Sequence, residues 1–396
     1  MSAPIPETLD VAIVGGGVAG LYCGWSLLAR DNDLAASGSA PRVGVFEQSD
    51  RLGGRLFTAR PPHAPHLACE LGGMRYIDSQ DMVVDLIAEL GLETKVFPVG
   101  DENNLHFLRG ARFSLAELLG GQVPIPYDLP PEEARQTPSQ LIGRVLHAFV
   151  PGGALMTAEG KEAAERTMTF AGQPVTDASA IEVIRSLLSP AAYDFVLEGM
   201  GYTCILDDQI GAANLIHTDL RAGTWRTIVE GMQQLPLTIG KRFVDAGGTV
   251  ALNHTVTRVE RDGDVYRVQI DGPDGQTSVR AARVVLALPA RALQVLDTAD
   301  VLSRAPTYEA DLTSVVPVPA SKLYLGFAAP WWEAIGLNEG RSVTDQPIRQ
   351  CLYFGVEGER GGEADNTSAL LVASYSDGEA TRYWERRVGE PPFFAA

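Results

Sequence analysis

The sequence predicts an α/β fold with a doubly wound sheet at its centre, and three observations carry that prediction. Val11, Ala12, Ile13 and Val14 form a short apolar run with β-branched residues, the composition of a strand buried on both faces. The run breaks into Gly15-x-Gly17-x-x-Gly20, after which Leu21, Trp25, Leu27 and Leu28 continue at helical spacing without a proline. Residues 42–47 then read as a second short strand that ends in an acid, Glu47. Strand, glycine turn and helix in that order make the triplet informative. Gly15 permits the tight turn, Gly17 lets a pyrophosphate approach the backbone, and Gly20 lets the helix pack on the strand. The phosphates then meet unpaired N–H groups at the positive end of the helix. For the triplet taken alone, a glycine-rich turn without a ligand stays open as the alternative.

The next residues narrow the reading. An acid at the tip of the second strand suits the ribose hydroxyls of an adenosine, although Glu47 arrives later than the usual spacing of about 20 residues. A loop at residues 31–41, rich in Asp, Ala, Ser and Gly, accounts for the delay. Immediately after Glu47 comes Arg51-Leu52-Gly53-Gly54-Arg55. Acid, short spacer and Gly-Gly-Arg together resemble the flavin amine oxidase superfamily, whose members bind FAD rather than NAD. By that resemblance Gly54 and Arg55 face the FAD phosphates and Glu47 the ribose. The resemblance implies a doubly wound FAD-binding (Rossmann-like) domain, a mixed-sheet substrate domain and a helical insertion. The expected segments are 1–57 and 223–315 for the FAD domain, 58–113 and 316–396 for the substrate domain, and 114–222 for the insertion.

Composition bounds the remaining classes. The chain has 396 residues, enough for two or three domains, and 45% hydrophobic residues describe an ordinary globular protein. A formal charge of −18 argues against nucleic acid and anionic membrane as partners. Cys23, Cys69, Cys204 and Cys351 are scattered, fit no zinc pattern and form no disulfide framework, so free thiols and no metal are expected. The first ten residues lack a basic region and an apolar core, and no run approaches the roughly 20 apolar residues of a membrane span. A cytoplasmic location is the expectation.

Further along, Gly72-Gly73-Met74-Arg75 combines glycines that bring backbone close to a flat ligand with a planar fork of donors. This stretch resembles the amino-acid-oxidising branch of the superfamily, in which Gly73, Met74 and Arg75 would lie along the flavin and Arg75 would clamp the substrate α-carboxylate. Amine and polyamine oxidases match up to the glycines but lack the arginine. A surface arginine or a structural ion pair is the alternative for Arg75. Residues 81–90 read as an amphipathic helix with Met82, Leu86, Ile87 and Leu90 on one face, and residues 94–113 as short strands. Helical stretches follow at 139–149, 158–168 and 180–188.

In the second half, the E-G-M-x-x-L-P stretch at residues 230–236 resembles the family's return to the FAD domain. A hairpin turns at Asp262-Gly263-Asp264, and residues 283–288 have the composition of a buried parallel strand. By the resemblance, the backbone of Val256 pairs with the adenine. Lys322 enters an otherwise apolar strand, which is costly unless its head snorkels or finds partners. In the family a lysine at this place holds a water against flavin N5; a strand-edge lysine with its head in solvent is the alternative. Residues 342–349 resemble a segment of L-amino acid oxidases, which makes Tyr353 a second candidate for the carboxylate; His217, close before the W-R-T-I-V-E-G-M stretch, stands roughly where those oxidases carry an active-site histidine, with a structural histidine as the alternative.

These resemblances imply an FAD-dependent L-amino acid oxidase that takes an L-amino acid and dioxygen to a 2-oxo acid, ammonia and hydrogen peroxide, and that forms a homo-oligomer. Arg75 and Lys322 would be the catalytic residues. An amino acid 2-monooxygenase is the near alternative, followed by an amine or polyamine oxidase. From another class, the chain could be a catalytically silent flavin-binding fragment. The family's closing Ala-Gly-Glu strand and helix are not found before Ala396, so a downstream segment or a second chain is expected to complete the FAD domain.

Overall fold

The structure is a computed structural model that describes residues 5–29, 40–153, 156–206, 209–218, 223–299 and 301–387. Most of the expected loop at 31–41 lies outside the described residues. Two compact units emerge, and each is interleaved in sequence. The first comprises residues 1–59, 68–96 and 226–317, the second residues 60–67, 97–225 and 318–396.

The first unit is built on a six-stranded sheet. In spatial order its strands are Thr249–Leu252, Val43–Glu47, Thr8–Val14, Gly275–Leu286, Val265–Gly272 and Thr255–Asp262. The first three pairings are parallel and the last two antiparallel. This is an α/β sheet carrying a hairpin extension. Val11, Ala12, Ile13 and Val14 are buried, as an apolar run with helices over the sheet requires. Helix Val18–Ala29 packs beside helix Gln234–Asp245, with Gly24 close enough that an added Cβ would stand 2.9 Å from the Phe243 ring.

Two expectations need correction here. Residues 283–288 were expected as a buried strand, yet the strand begins at Gly275, and Val284, Val285 and Leu286 are only half-buried. Its first part closes a second hairpin, with Gly272 opposite Gly275, before the chain runs on alongside Thr8–Val14. Met82 was expected on the buried face of its helix but is 88% exposed. Helix Asp81–Glu89 turns Ile87 to the core and half-buries Val83, Val84 and Leu86, so its apolar stripe is rotated away from Met82.

The second unit joins a mixed six-stranded sheet to a helical layer. The strand order is Ala320–Phe327, Ala369–Asp377, Gln350–Val356, Arg341–Thr344, Leu105–Leu108 and Ala111–Ser114, with only Arg341–Thr344 and Leu105–Leu108 parallel. Helices Pro138–Phe149, Ala158–Thr167 and Ala180–Leu187 fall where helical stretches are expected. Two of them start in capping boxes, Thr137 with Gln140 and Ser179 with Glu182, which satisfy orphan N–H groups reciprocally. Helix Pro190–Gly199 adds Ala192, Phe195 and Val196 to the same core as Leu141, Val145, Val183 and Ile184. Contacts group this helical stretch with the unit's strands.

The four cysteines are free. Burial pushes the thiols of Cys69 and Cys351 up to about 11, which keeps them protonated and unreactive. Among the described residues no helix is long and apolar enough to cross a membrane.

Candidate active site

The first unit carries a glycine-lined cradle at the end of strand Thr8–Val14. Gly15 adopts a φ of 110°, and its N–H donates to the Phe46 carbonyl at 2.8 Å. A Cβ on Gly15 would stand 2.5 Å from the Ala287 carbonyl oxygen, and one on Gly20 would stand 2.0 Å from the Gly15 oxygen. A Cβ on Gly17 would meet nothing within 4 Å. Gly15 therefore makes the turn, Gly20 makes the helix–strand contact, and Gly17 leaves open space above the first turn of helix Val18–Ala29.

Glu47 closes one side of the cradle. Its Oε2 accepts the Gly16 N–H at 2.8 Å, and its Oε1 accepts the N–H and hydroxyl of Ser49 at 2.9 and 2.8 Å. Such charge-assisted bonds fix the carboxylate against the glycine turn. Val256 lies two residues after His254, whose N–H donates to the Glu47 carbonyl at 2.9 Å. That bond sets the start of strand Thr255–Asp262 beside the acid.

A second glycine pair lies against the first turn. Gly53 donates to the Gly16 carbonyl at 2.9 Å, and a Cβ on Gly54 would be 3.5 Å from the Gly17 Cα. Both glycines have positive φ, 121° and 54°. Arg51, whose part was not foreseen, pins this loop: its guanidinium donates to Gly54 O at 2.9 Å and lies 4.2 Å over the Phe57 ring. Arg55 itself is exposed, and its side chain makes no hydrogen bond or ion pair among the described residues. A third glycine stretch comes next, with Gly73 donating to the Arg55 carbonyl at 3.0 Å. Gly72 approaches so closely that a Cβ there would stand 2.0 Å from the same oxygen.

A polar web behind the cradle was also unforeseen. Glu70, 1% exposed, accepts from the Met232 N–H at 2.8 Å and the Thr58 hydroxyl at 2.9 Å. The Gln233 side chain bridges Leu52 O at 3.0 Å and the Thr58 N–H at 3.1 Å. The Gly-Met-Gln stretch thus returns the chain to this unit as expected, by satisfying buried polar groups rather than by apolar contact alone.

The family model for flavin containing amine oxidoreductases matches residues 18–389. The chain belongs to that family. Among relatives of this flavin amine oxidoreductase, aplysianin-A of Aplysia kurodai is 28% identical, over 95% of this chain and 69% of that protein. Achacin of Lissachatina fulica is 26% identical over 96% and 71%, and the L-amino-acid oxidase of Bungarus fasciatus 26% over 87% and 62%. These relatives lend the cytoplasmic expectation no support. A putrescine oxidase double mutant from a redesign of cofactor binding superposes with a TM-score of 0.65 at 20% identity, covering 96% of this chain and 79% of that one. That likeness is one of fold.

FAD is the cofactor this family implies, and the cradle fits it. The space above Gly17, the exposed guanidinium of Arg55 and the anchored Glu47 are the features a dinucleotide requires at its pyrophosphate and ribose.

The other expected site residues lie in separate settings. In the first unit Met74 is buried, and Arg75 is half-buried with its Nη1 atom inside the protein. In the second unit Tyr353 is 9% exposed, its ring 6.0 Å from Trp332 and its hydroxyl 2.8 Å from Ser342 Oγ. Burial raises its pKa and the Ser342 bond opposes that rise. His217 ends helix Ala213–His217 in an exposed pair with Glu165 at 2.7 Å. Lys322 is half-buried in strand Ala320–Phe327 and sets its ammonium 5.1 Å from the Tyr375 ring centroid. Tyr375 carried no sequence signal; only strand register reveals it.

Proposed function

We propose that this flavin amine oxidoreductase is an L-amino acid oxidase. The observation that carries the reading is the bond between Gly73 N–H and the Arg55 carbonyl, which ties Arg75, two residues on, to the cofactor cradle. An arginine so anchored offers a rigid bidentate partner to a carboxylate, which an amine substrate does not possess. The relatives named as L-amino-acid oxidases support the same substrate class.

In this reading Gly15, Gly17, Gly20, Gly54 and Arg55 hold the pyrophosphate, Glu47 the ribose, and Val256 the adenine. Gly73 and Met74 line the flavin. Bound FAD supplies the two-electron oxidation and passes the electrons to dioxygen. Arg75 fixes the carboxylate so that only the L-enantiomer directs its Cα–H along a productive line. Lys322 orders a water for the oxygen or hydrolysis step. Tyr353 receives a different part from the one expected of it, because its hydroxyl is engaged by Ser342 and its ring by Trp332; it supports its strand. His217, paired with Glu165 at the surface, supports the helical layer.

The test is anaerobic mixing of the flavin-loaded protein with a panel of L-amino acids and with the decarboxylated amines, followed by peroxide and amide assays in air. Bleaching by L-amino acids with peroxide as product is expected. Arg75→Lys should raise KM strongly for amino acids and little for amines, because the bidentate geometry is lost. Amide in place of peroxide would make the enzyme a monooxygenase, and faster oxidation of amines would remove Arg75 from the carboxylate.

A further inference from the structure

Strand register places Lys322 directly opposite Tyr375. Residues paired across two antiparallel strands project to the same face, and here the ammonium lies 5.1 Å from the ring centroid, within cation–π range. Tyr375 is itself braced: the Tyr202 ring meets it edge-on, with centroids 5.4 Å apart and planes at 88°. The Arg341 guanidinium lies 5.3 Å from the Tyr202 ring centroid.

Tyr202 is held with unusual care for a residue in a connecting segment. On one side Gly201, with a φ of 81°, gives its carbonyl to Gln350 Nε2 at 3.1 Å, and Gln350 is 0% exposed. On the other side the Asp377 carboxylate, 4% exposed, accepts the Thr203 N–H at 2.9 Å, the Cys204 N–H at 2.9 Å and the Thr203 hydroxyl at 3.1 Å. Asp377 ends the strand that carries Tyr375. One strand therefore supplies both the ring under Lys322 and the anchor of the residue that braces that ring.

We propose that Tyr375, braced by Tyr202, is a positioning residue that holds the Lys322 ammonium in its working place. The inference rests on the reading of Lys322 as the lysine that assists the oxygen or hydrolysis step. A lysine head on a four-carbon stem samples many rotamers, and an aromatic face selects among them while favouring the charged form. The ring, not the phenol hydroxyl, performs this task.

Three variants in the flavin-loaded protein test it by stopped flow, with substrate reduction and reoxidation by dioxygen measured separately. Lys322→Met should slow reoxidation and leave reduction nearly unchanged. Tyr375→Leu should slow reoxidation about 2- to 30-fold, the range of a cation–π contact from exposed to desolvated. Tyr375→Phe should restore it. A second readout needs no turnover: lysine labelled with ¹³C at Cε should give one ring-shifted NMR signal that vanishes in Lys322→Met and in Tyr375→Leu and persists in Tyr375→Phe. Should Tyr375→Leu fail to fold, Tyr202→Leu provides the same comparison, with a smaller loss rescued by Tyr202→Phe. Wild-type reoxidation in Lys322→Met would sink the reading of Lys322. A slow Lys322→Met beside an unaffected Tyr375→Leu would sink the positioning role alone. Equal losses in Tyr375→Phe and Tyr375→Leu would assign the effect to the hydroxyl and overturn the proposal.

Discussion

The same small change at two glycines of one turn should break two different things. Gly20→Ala places a methyl 2.0 Å from the Gly15 carbonyl oxygen, a backbone atom that cannot swing aside. Helix Val18–Ala29 would have to lift from its strand, at the cost of overpacking, about 1–3 kcal/mol and more where backbone must move. Gly17→Ala meets nothing within 4 Å, and Gly17 is not among the residues with positive φ. Without cofactor that variant should be as stable as wild type, or gain about 0.4–1 kcal/mol through the less flexible unfolded chain. Its methyl instead occupies the approach of the pyrophosphate. An overpacking cost of about 1–3 kcal/mol there weakens FAD binding by roughly 5- to 150-fold. Thermal unfolding of the cofactor-free proteins, paired with flavin-fluorescence titration, separates the two outcomes. Holo stability adds a check, because a ligand that binds only the folded state stabilises it according to its affinity. Equal loss of cofactor-free stability in both variants, or wild-type FAD affinity in Gly17→Ala, would refute the division of roles.

Further expectations follow from particular contacts. Glu47→Ala should weaken FAD binding by about 1.5–3 kcal/mol, read by the same titration, since a charge-assisted partner is lost and the Gly16 amide is released. Tyr353→Phe should cost about 0.5–1.5 kcal/mol of stability in denaturant unfolding and leave KM for amino acids unchanged; a raised KM would return Tyr353 to the carboxylate. His106 is buried, and burial first, then the Arg341 charge, lowers its pKa to about 4. The unfolded chain therefore takes up a proton near pH 6.5 that the folded chain refuses until about pH 4, so stability falls as pH drops through that window. Between pH 7 and pH 5 the loss from this group is about 2 kcal/mol, and His106→Leu should remove that slope in urea titrations.

What was legible in the chain was mostly what backbone geometry dictates. The roles of Gly15, Gly17 and Gly20 follow from the absence of a Cβ, and the structure gives each glycine the separate surroundings those roles require. Three helices of the second unit were legible as well. Helix Pro190–Gly199 was not expected, although serine at the N-cap and proline at the first position are a start signal. Met82 was misplaced because a helix of nine residues leaves its apolar stripe free to rotate by one position.

What was hidden depends on partners distant in sequence. Glu70 and Met232 are 162 residues apart, and Thr58 and Gln233 are 175 apart; no local pattern marks either pairing. A buried carboxylate is costly without partners, so the web is a condition for the cradle rather than an ornament of it. The two tyrosines make the same point about the substrate side. Tyr353 and Tyr375 both lie in apolar strands and carry the same chemistry. Register sends one to the hydroxyl of Ser342 and the other to the ammonium of Lys322. Since alternate residues of a strand face opposite sides, a slip of one residue would exchange such assignments. The β-bulge between Leu323 and Tyr324 makes such a slip, so the pairing of Lys322 with Tyr375 does not follow by counting back from Phe327 and Ala369. Deleting Leu323, the paired residue between Lys322 and the bulge, should therefore move Lys322 out of register with Tyr375 and cost the ring-shifted lysine signal while both side chains are retained. Survival of that signal would show that Lys322 finds Tyr375 without the register that joins them.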